Sequence, residues 1–122
     1  MRERKEDLPD AISVEGVSLK GTEFGPMSAA HGQMAKGTDL APVLEGLPGD
    51  KCQVPHWGYV IEGAIEVLYQ DGSRETVRSG ELYYWPPGHT VRFLENTTYV
   101  EFSPAGEMRD LVGHVKAKMG LA

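Results

Sequence analysis

Between Asp50 and Glu95 the chain alternates short β-rich runs with rigid turns, and that rhythm limits the fold more than any other feature. Trp57 to Ile61 and Ala64 to Tyr69 are rich in aromatic and β-branched residues, with Gly63 marking a bend or bulge between them. Asp71-Gly72 is a tight-turn pair, because a two-residue hairpin turn needs positive φ. Arg74 to Arg78 returns as a strand and Ser79-Gly80 turns again. Glu81 to Trp85 is aromatic, Pro86 to Gly88 is a stiff turn, and His89 to Leu94 and Thr98 to Ser103 complete the set. Strands at this spacing predict an all-β sandwich or barrel.

Upstream, Ala11 to Gly37 consists of apolar runs broken by glycine and predicts two or three more strands. Residues 1–10 are polar and read as a flexible N-terminal arm, so the barrel is expected over 11–103. The stretch from Lys36 to Asp50 holds three glycines and two prolines and reads as a long connection or flap serving a site or a subunit contact. After it the period changes. Ser103-Pro104 suits an N-cap with proline at the first helical position, and Met108, Leu111, Val112, Val115 and Met119 recur at helical spacing. One amphipathic helix over 104–122 is therefore expected, packed on the barrel or on a dimer partner.

Charge narrows the partners. Eighteen acidic against twelve basic residues give a net −6, and no basic stripe is present, which argues against nucleic acid. One cysteine among 122 residues excludes an internal disulfide and suits a reducing compartment. No secretory pattern and no membrane-length apolar run are visible, so a cytoplasmic protein is expected, with no membrane partner.

Two histidines, His56 and His89, stand at loop-to-strand junctions of separate hairpins. Each has two readings: a metal ligand or proton-transfer group, or a histidine that only fixes its own loop. Two imidazoles alone hold a metal weakly, and Cys52, four residues before His56, is the natural third donor; its thiolate would favour zinc over magnesium or calcium. The other reading of Cys52 is a small buried hydrophobe. Asp50 is equally an ordinary turn residue. Glu62, Glu66 and Glu101 lie in apolar strands, where glutamate usually faces solvent; Glu101, between Val100 and Phe102, has an inward alternative. Trp57, Tyr59, Tyr83 and Trp85 flank the histidines and read as core or as the wall of a ligand pocket. His31 and His114 read as structural or surface residues.

Gly80, Pro86 and Gly88 within GELYYWPPG, and the sixteen residues separating Gly63 from Gly80, resemble the two motifs of the cupin superfamily. The resemblance covers about half the chain and implies a jelly-roll β-barrel with a site at its mouth. The ligand positions depart from the family pattern. Aligned on Gly63, His56 takes the place of the usual glutamate, with Cys52 and Asp50 at the His-x-His positions. Val91 takes the place of the second motif's histidine and Glu95 that of its asparagine. His89 lies two residues before Val91, on the same face of a strand. A rival alignment makes His56 the first histidine, Glu62 the glutamate and Gly58 the lost second histidine, but puts Tyr69 where glycine belongs. The resemblance implies a small-molecule-binding domain with a divalent-metal site, catalytic or not. It could act as a metal-dependent enzyme on a small acid, sugar or aromatic compound. Alternatively, it could be a metal-free sensing module or a dimeric scaffold. A homodimer is the expected assembly.

Overall fold

Nine strands and a C-terminal helix are laid out in the computed structural model, which describes residues 1–121. The strands are β1 (Asp10–Val14), β2 (Val17–Phe24), β3 (Met27–Met34), β4 (His56–Glu62), β5 (Ala64–Tyr69), β6 (Arg74–Arg78), β7 (Leu82–Trp85), β8 (His89–Phe93) and β9 (Thr97–Pro104). Helices are α1 (Ala41–Leu44) and α2 (Ala105–Lys118). All pairings are antiparallel and form a six-stranded sheet, β1-β2-β3-β9-β4-β7, facing a three-stranded one, β6-β5-β8. This is the all-β barrel that the strand rhythm predicts, in the jelly-roll form that the family resemblance implies, with the expected C-terminal helix. No helix among the described residues is long and apolar enough to cross a membrane.

The turns do what their residues dictate. Gly63 has φ 108°, and a Cβ there would fall 2.6 Å from the Asn96 carbonyl oxygen, so the chain passes from β4 to β5 only with glycine. The irregularity next to it, between Val60 and Glu62, is the expected bulge.

Two apolar clusters fill the interior. One lies between the sheets and includes the fully buried Val60, Ile65 and Val67. The other lies at one end of the barrel, where Met108, Leu111, Val112, Val115 and Met119 of α2 meet Ile12, Leu19 and Leu44. The helical spacing of those five residues therefore marks a face that docks on the barrel.

One sequence expectation needs correction here. Ser103 does not cap α2: the residue before the helix is Pro104, with no side-chain cap, and Ser103 is a buried member of β9. The stretch from Lys36 to Asp50 is a laid-down strap. It bonds to the free edge of β8 through Gly37 N to Phe93 O (2.8 Å), Phe93 N to Thr38 O (2.8 Å) and Leu40 N to Val91 O (3.1 Å). It then forms α1 and buries Leu44. The unpaired edge of β8 supplies the partners that the glycines and prolines had concealed. The N-terminal arm is exposed through Asp7, with one short helical turn at Lys5–Asp7, and Asp10 already belongs to β1.

Candidate metal centre

Period-two alternation delivers the histidines to the interior. Along β4, His56, Gly58 and Val60 face inward while Trp57, Tyr59 and Ile61 face out. Along β8, His89, Val91 and Phe93 face inward, so His89 shares a face with the usual histidine position, Val91. Cys52 is brought in by backbone pairing with His89: its N–H donates to the His89 carbonyl (2.8 Å), and its own carbonyl accepts from Gly88 N (2.8 Å) and His89 N (3.2 Å).

Cys52, His56 and His89 are all buried, and one donor atom from each lies within 4.8 Å of the others. Cys52 Sγ is 3.5 Å from His56 Nε2, and the two imidazole centroids are 5.1 Å apart. Outer contacts orient both rings. His89 Nδ1 donates to the Pro86 carbonyl at 2.7 Å, which leaves its Nε2 with a lone pair. His56 Nδ1 lies 2.6 Å from Ser103 Oγ and 3.6 Å from Glu101 Oε2. With the Nδ1 proton given to Ser103 Oγ, His56 Nε2 turns its lone pair toward Cys52.

A row across three strands explains Glu101. In the sheet, Gly58 stands opposite both Tyr83 and Glu101. Because Gly58 has no side chain, the Tyr83 ring lies over it, against the position a Cβ would fill. The phenol then donates to Glu101 Oε1 at 2.7 Å. The rival alignment's missing histidine is thus the gap through which Tyr83 reaches the carboxylate.

Burial sets the charges. It pushes both His56 and His89 down to about 4, and the neighbouring His56 ring further disfavours charge on His89. Burial also lifts the Cys52 thiol to about 12 and Glu101 to about 7, the Tyr83 bond partly opposing the latter. Near neutral pH both rings are uncharged, so the approach of Glu101 to His56 is a contact with a neutral imidazole and not an ion pair.

The donor chemistry fits a metal. One thiol and two neutral imidazoles form a soft S/N set, and donors bound to one tetrahedral zinc stand about 3.5 Å apart, as Sγ and Nε2 already do. The cost is a proton, because the buried thiol must ionise as the ion enters. Beside the trio lies a cavity of about 140 Å³. Cys52, His56, His89, Trp85 and Glu101 stand at its wall, and the rest of the lining is largely aliphatic, contributed by the barrel, the strap and α2.

The flanking aromatics divide. Trp85 lines this cavity and Tyr83 is buried behind it, their rings stacked at 3.9 Å. Trp57 and Tyr59, expected as pocket wall, are on the outer surface, because residues adjacent to an inward histidine point the other way. Asp50 stays in its turn, with positive φ, accepting from Gly46 N. Glu62 is exposed and Glu66 pairs with Arg74 and Arg92. His31 is half-buried on β3, and His114 Nε2 donates to the Glu45 carbonyl, tying α2 to the strap. Ser103 is the site residue the sequence concealed, since its partner lies 47 positions away.

The fold is that of the cupins. An oxalate decarboxylase from Bacillus subtilis aligns over 81% of this chain with TM-score 0.61 and 16% identity; the chain spans 28% of that protein's length. An RmlC-like cupin from Shewanella frigidimarina aligns over 88% of this chain and 93% of its own, with TM-score 0.62 and 18% identity. Ectoine synthase from P. lautus gives TM-score 0.64 at 15% identity over 90% and 84% of the two chains. No protein-family model matches the sequence, and no curated protein does.

Proposed function

We propose that this cupin binds one divalent transition metal through Cys52, His56 and His89, with zinc favoured by the thiolate. We further propose that it takes up a small, mostly apolar organic molecule in the adjoining cavity. The observation that carries the reading is the convergence of three buried donors from separate segments, with Ser103 and Pro86 already orienting the two imidazoles.

Cavity chemistry selects the ligand class. At about 140 Å³ the space resembles cavities that admit a benzene-sized guest. A sugar would need many polar partners, and the aliphatic lining lacks them; an aromatic or short branched compound with one polar end fits better. The bound metal would supply Lewis acidity toward an oxygen of that polar end. Glu101, facing the same cavity and ionising at about 7, is the group able to hold or release a proton there.

A metal-free binding module is the second reading, favoured by one observation: burial keeps the Cys52 thiol protonated up to about 12. Elemental analysis of purified wild-type, His56→Ala and Cys52→Ser proteins decides between the two. One equivalent of metal in the wild type, lost in both variants, supports the first; metal-free wild type with undiminished ligand binding in His56→Ala supports the second.

A further inference from the structure

A second hollow, of about 230 Å³, adjoins the metal cavity where α2 crosses β2 and β3. Small residues make it: Gly21 and Ala30 on the sheet and Ala105 at the start of the helix leave α2 without large side chains to pack against. Its rim is open to solvent. Arg109 and Glu23 stand there, their side chains 65% and 44% exposed, joined by a two-pronged ion pair from α2 to β2 at 2.9 and 3.0 Å. Its inner wall is formed by Leu19, Met108 and Val112, and the same three residues line the metal cavity from the other side. Ser28 is also part of the wall. It is buried, its Oγ makes no hydrogen bond within the protein, and it stands opposite Ser103, the partner of His56.

We propose that this hollow is a second binding chamber, the vestibule through which the inner cavity's ligand enters, with Met108 as the gate between the two. The proposal rests on the reading of the inner cavity as a ligand site. The shared wall is the first argument. One layer of side chains separates the chambers, and Met108 is unbranched, so it can change rotamer without moving the backbone. The rival route is the second. Entry beside the strap would break its three backbone hydrogen bonds to β8 and the bond from His114 to the Glu45 carbonyl. On the α2 side the polar tie across the mouth is the exposed Arg109–Glu23 pair, and exposed pairs hold weakly. Ser28 is the third. A buried hydroxyl without a partner is uncommon, and the polar end of an entering molecule supplies one. The occupant is therefore the small aromatic or branched compound proposed for the cavity, its apolar body against Ala30 and Met108 and its polar end on Ser28 Oγ.

Exchange of 4-fluorophenol with the purified protein, followed by fluorine NMR line shapes, tests the route on the wild type, Ala30→Phe, Met108→Ala and His114→Ala. Blocking an entrance changes rates in both directions and leaves the equilibrium alone. Ala30→Phe is therefore expected to slow association and dissociation together, at least tenfold, with the dissociation constant within twofold of the wild type. Met108→Ala is expected to speed dissociation, and His114→Ala to leave both rates unchanged. Ala30→Phe fills an existing hollow, so it tests the route whether or not Met108→Ala, which cuts into the core, folds. Rates unmoved by Ala30→Phe, or raised by His114→Ala, overturn the vestibule and leave the reading of the inner cavity standing. A wild type that binds no 4-fluorophenol overturns that reading and the route with it.

Discussion

Ser103 Oγ lies 2.6 Å from His56 Nδ1, and this contact decides which nitrogen of His56 faces Cys52. Residues 47 positions apart meet because β4 and β9 are neighbours in the six-stranded sheet. Replacing Ser103 with alanine releases the imidazole without removing a donor atom. Metal affinity is expected to fall 10–100-fold, as for other outer contacts of ligating histidines. Zinc titration against a competing chelator reads the change; unaltered affinity would mean Ser103 does not position the ring.

Gly58→Ala tests the cross-strand row. The new methyl group meets the Tyr83 ring, which cannot stay over β4 and keep its bond to Glu101. A loss of about 2–4 kcal/mol is expected from overpacking plus an unmade buried hydrogen bond, read by urea denaturation. Tyr83→Phe should cost less, about 1–2 kcal/mol, and should raise the Glu101 titration above 7, because the phenol bond favours the carboxylate. Infrared difference titration of the carboxyl band reads that shift.

Stability of the metal-free protein should depend on pH in a defined way. His56 and His89 are depressed to about 4 when folded, so unfolding takes up their protons and stability is lost as pH falls from about 6.5 toward 4. Glu101 is raised to about 7, so its contribution is present below about 4.5 and lost as pH rises through 7. Two histidines outweigh one glutamate. Net stability should therefore rise by ~2–3 kcal/mol between pH 4.5 and 6.5. Cys52, raised to about 12, adds stability below pH 9 that is lost on the way to pH 12. Urea midpoints across the range check the shape: a maximum lying between pH 6.5 and 9 agrees, and a maximum near pH 5 does not.

Zinc should steepen the acid limb, because binding releases the Cys52 proton and tightens as pH rises, and should raise the melting temperature. At a free concentration one hundred times the dissociation constant, the stabilisation is about 2.7 kcal/mol, and a strong chelator should reverse it. Scanning calorimetry with and without chelator measures this, and His89→Ala should show no response to either.

Much of the barrel is legible in the sequence because turns need particular residues. Gly63, the Asp71-Gly72 pair and the Pro86–Gly88 turn bound β4 to β8 closely, and the apolar face of α2 docks as its spacing implies. Parity was also readable: an inward His56 sends Trp57 and Tyr59 outward by the two-residue period of a strand, which outweighs their closeness in sequence. Other features depend on distant partners. Ser103-Pro104 has the local form of a helix cap, yet the hydroxyl goes to His56 because β9 runs beside β4. The strap over 36–50 looks like a loose loop until the unpaired edge of β8 is seen to accept it. Glu101 is ambiguous by composition; it is inward because it shares the buried face of β9 with Thr97, Tyr99 and Ser103, and Gly58 leaves the room through which Tyr83 reaches it.

The most direct test is cobalt(II) substitution followed by absorption spectroscopy on wild-type and Cys52→Ser proteins. Tetrahedral coordination by Cys52, His56 and His89 predicts intense visible d–d bands and a near-ultraviolet sulfur-to-cobalt charge-transfer band, the latter absent from Cys52→Ser. A wild-type spectrum showing only the pale bands of hydrated cobalt, or a charge-transfer band that survives in Cys52→Ser, would contradict the assignment.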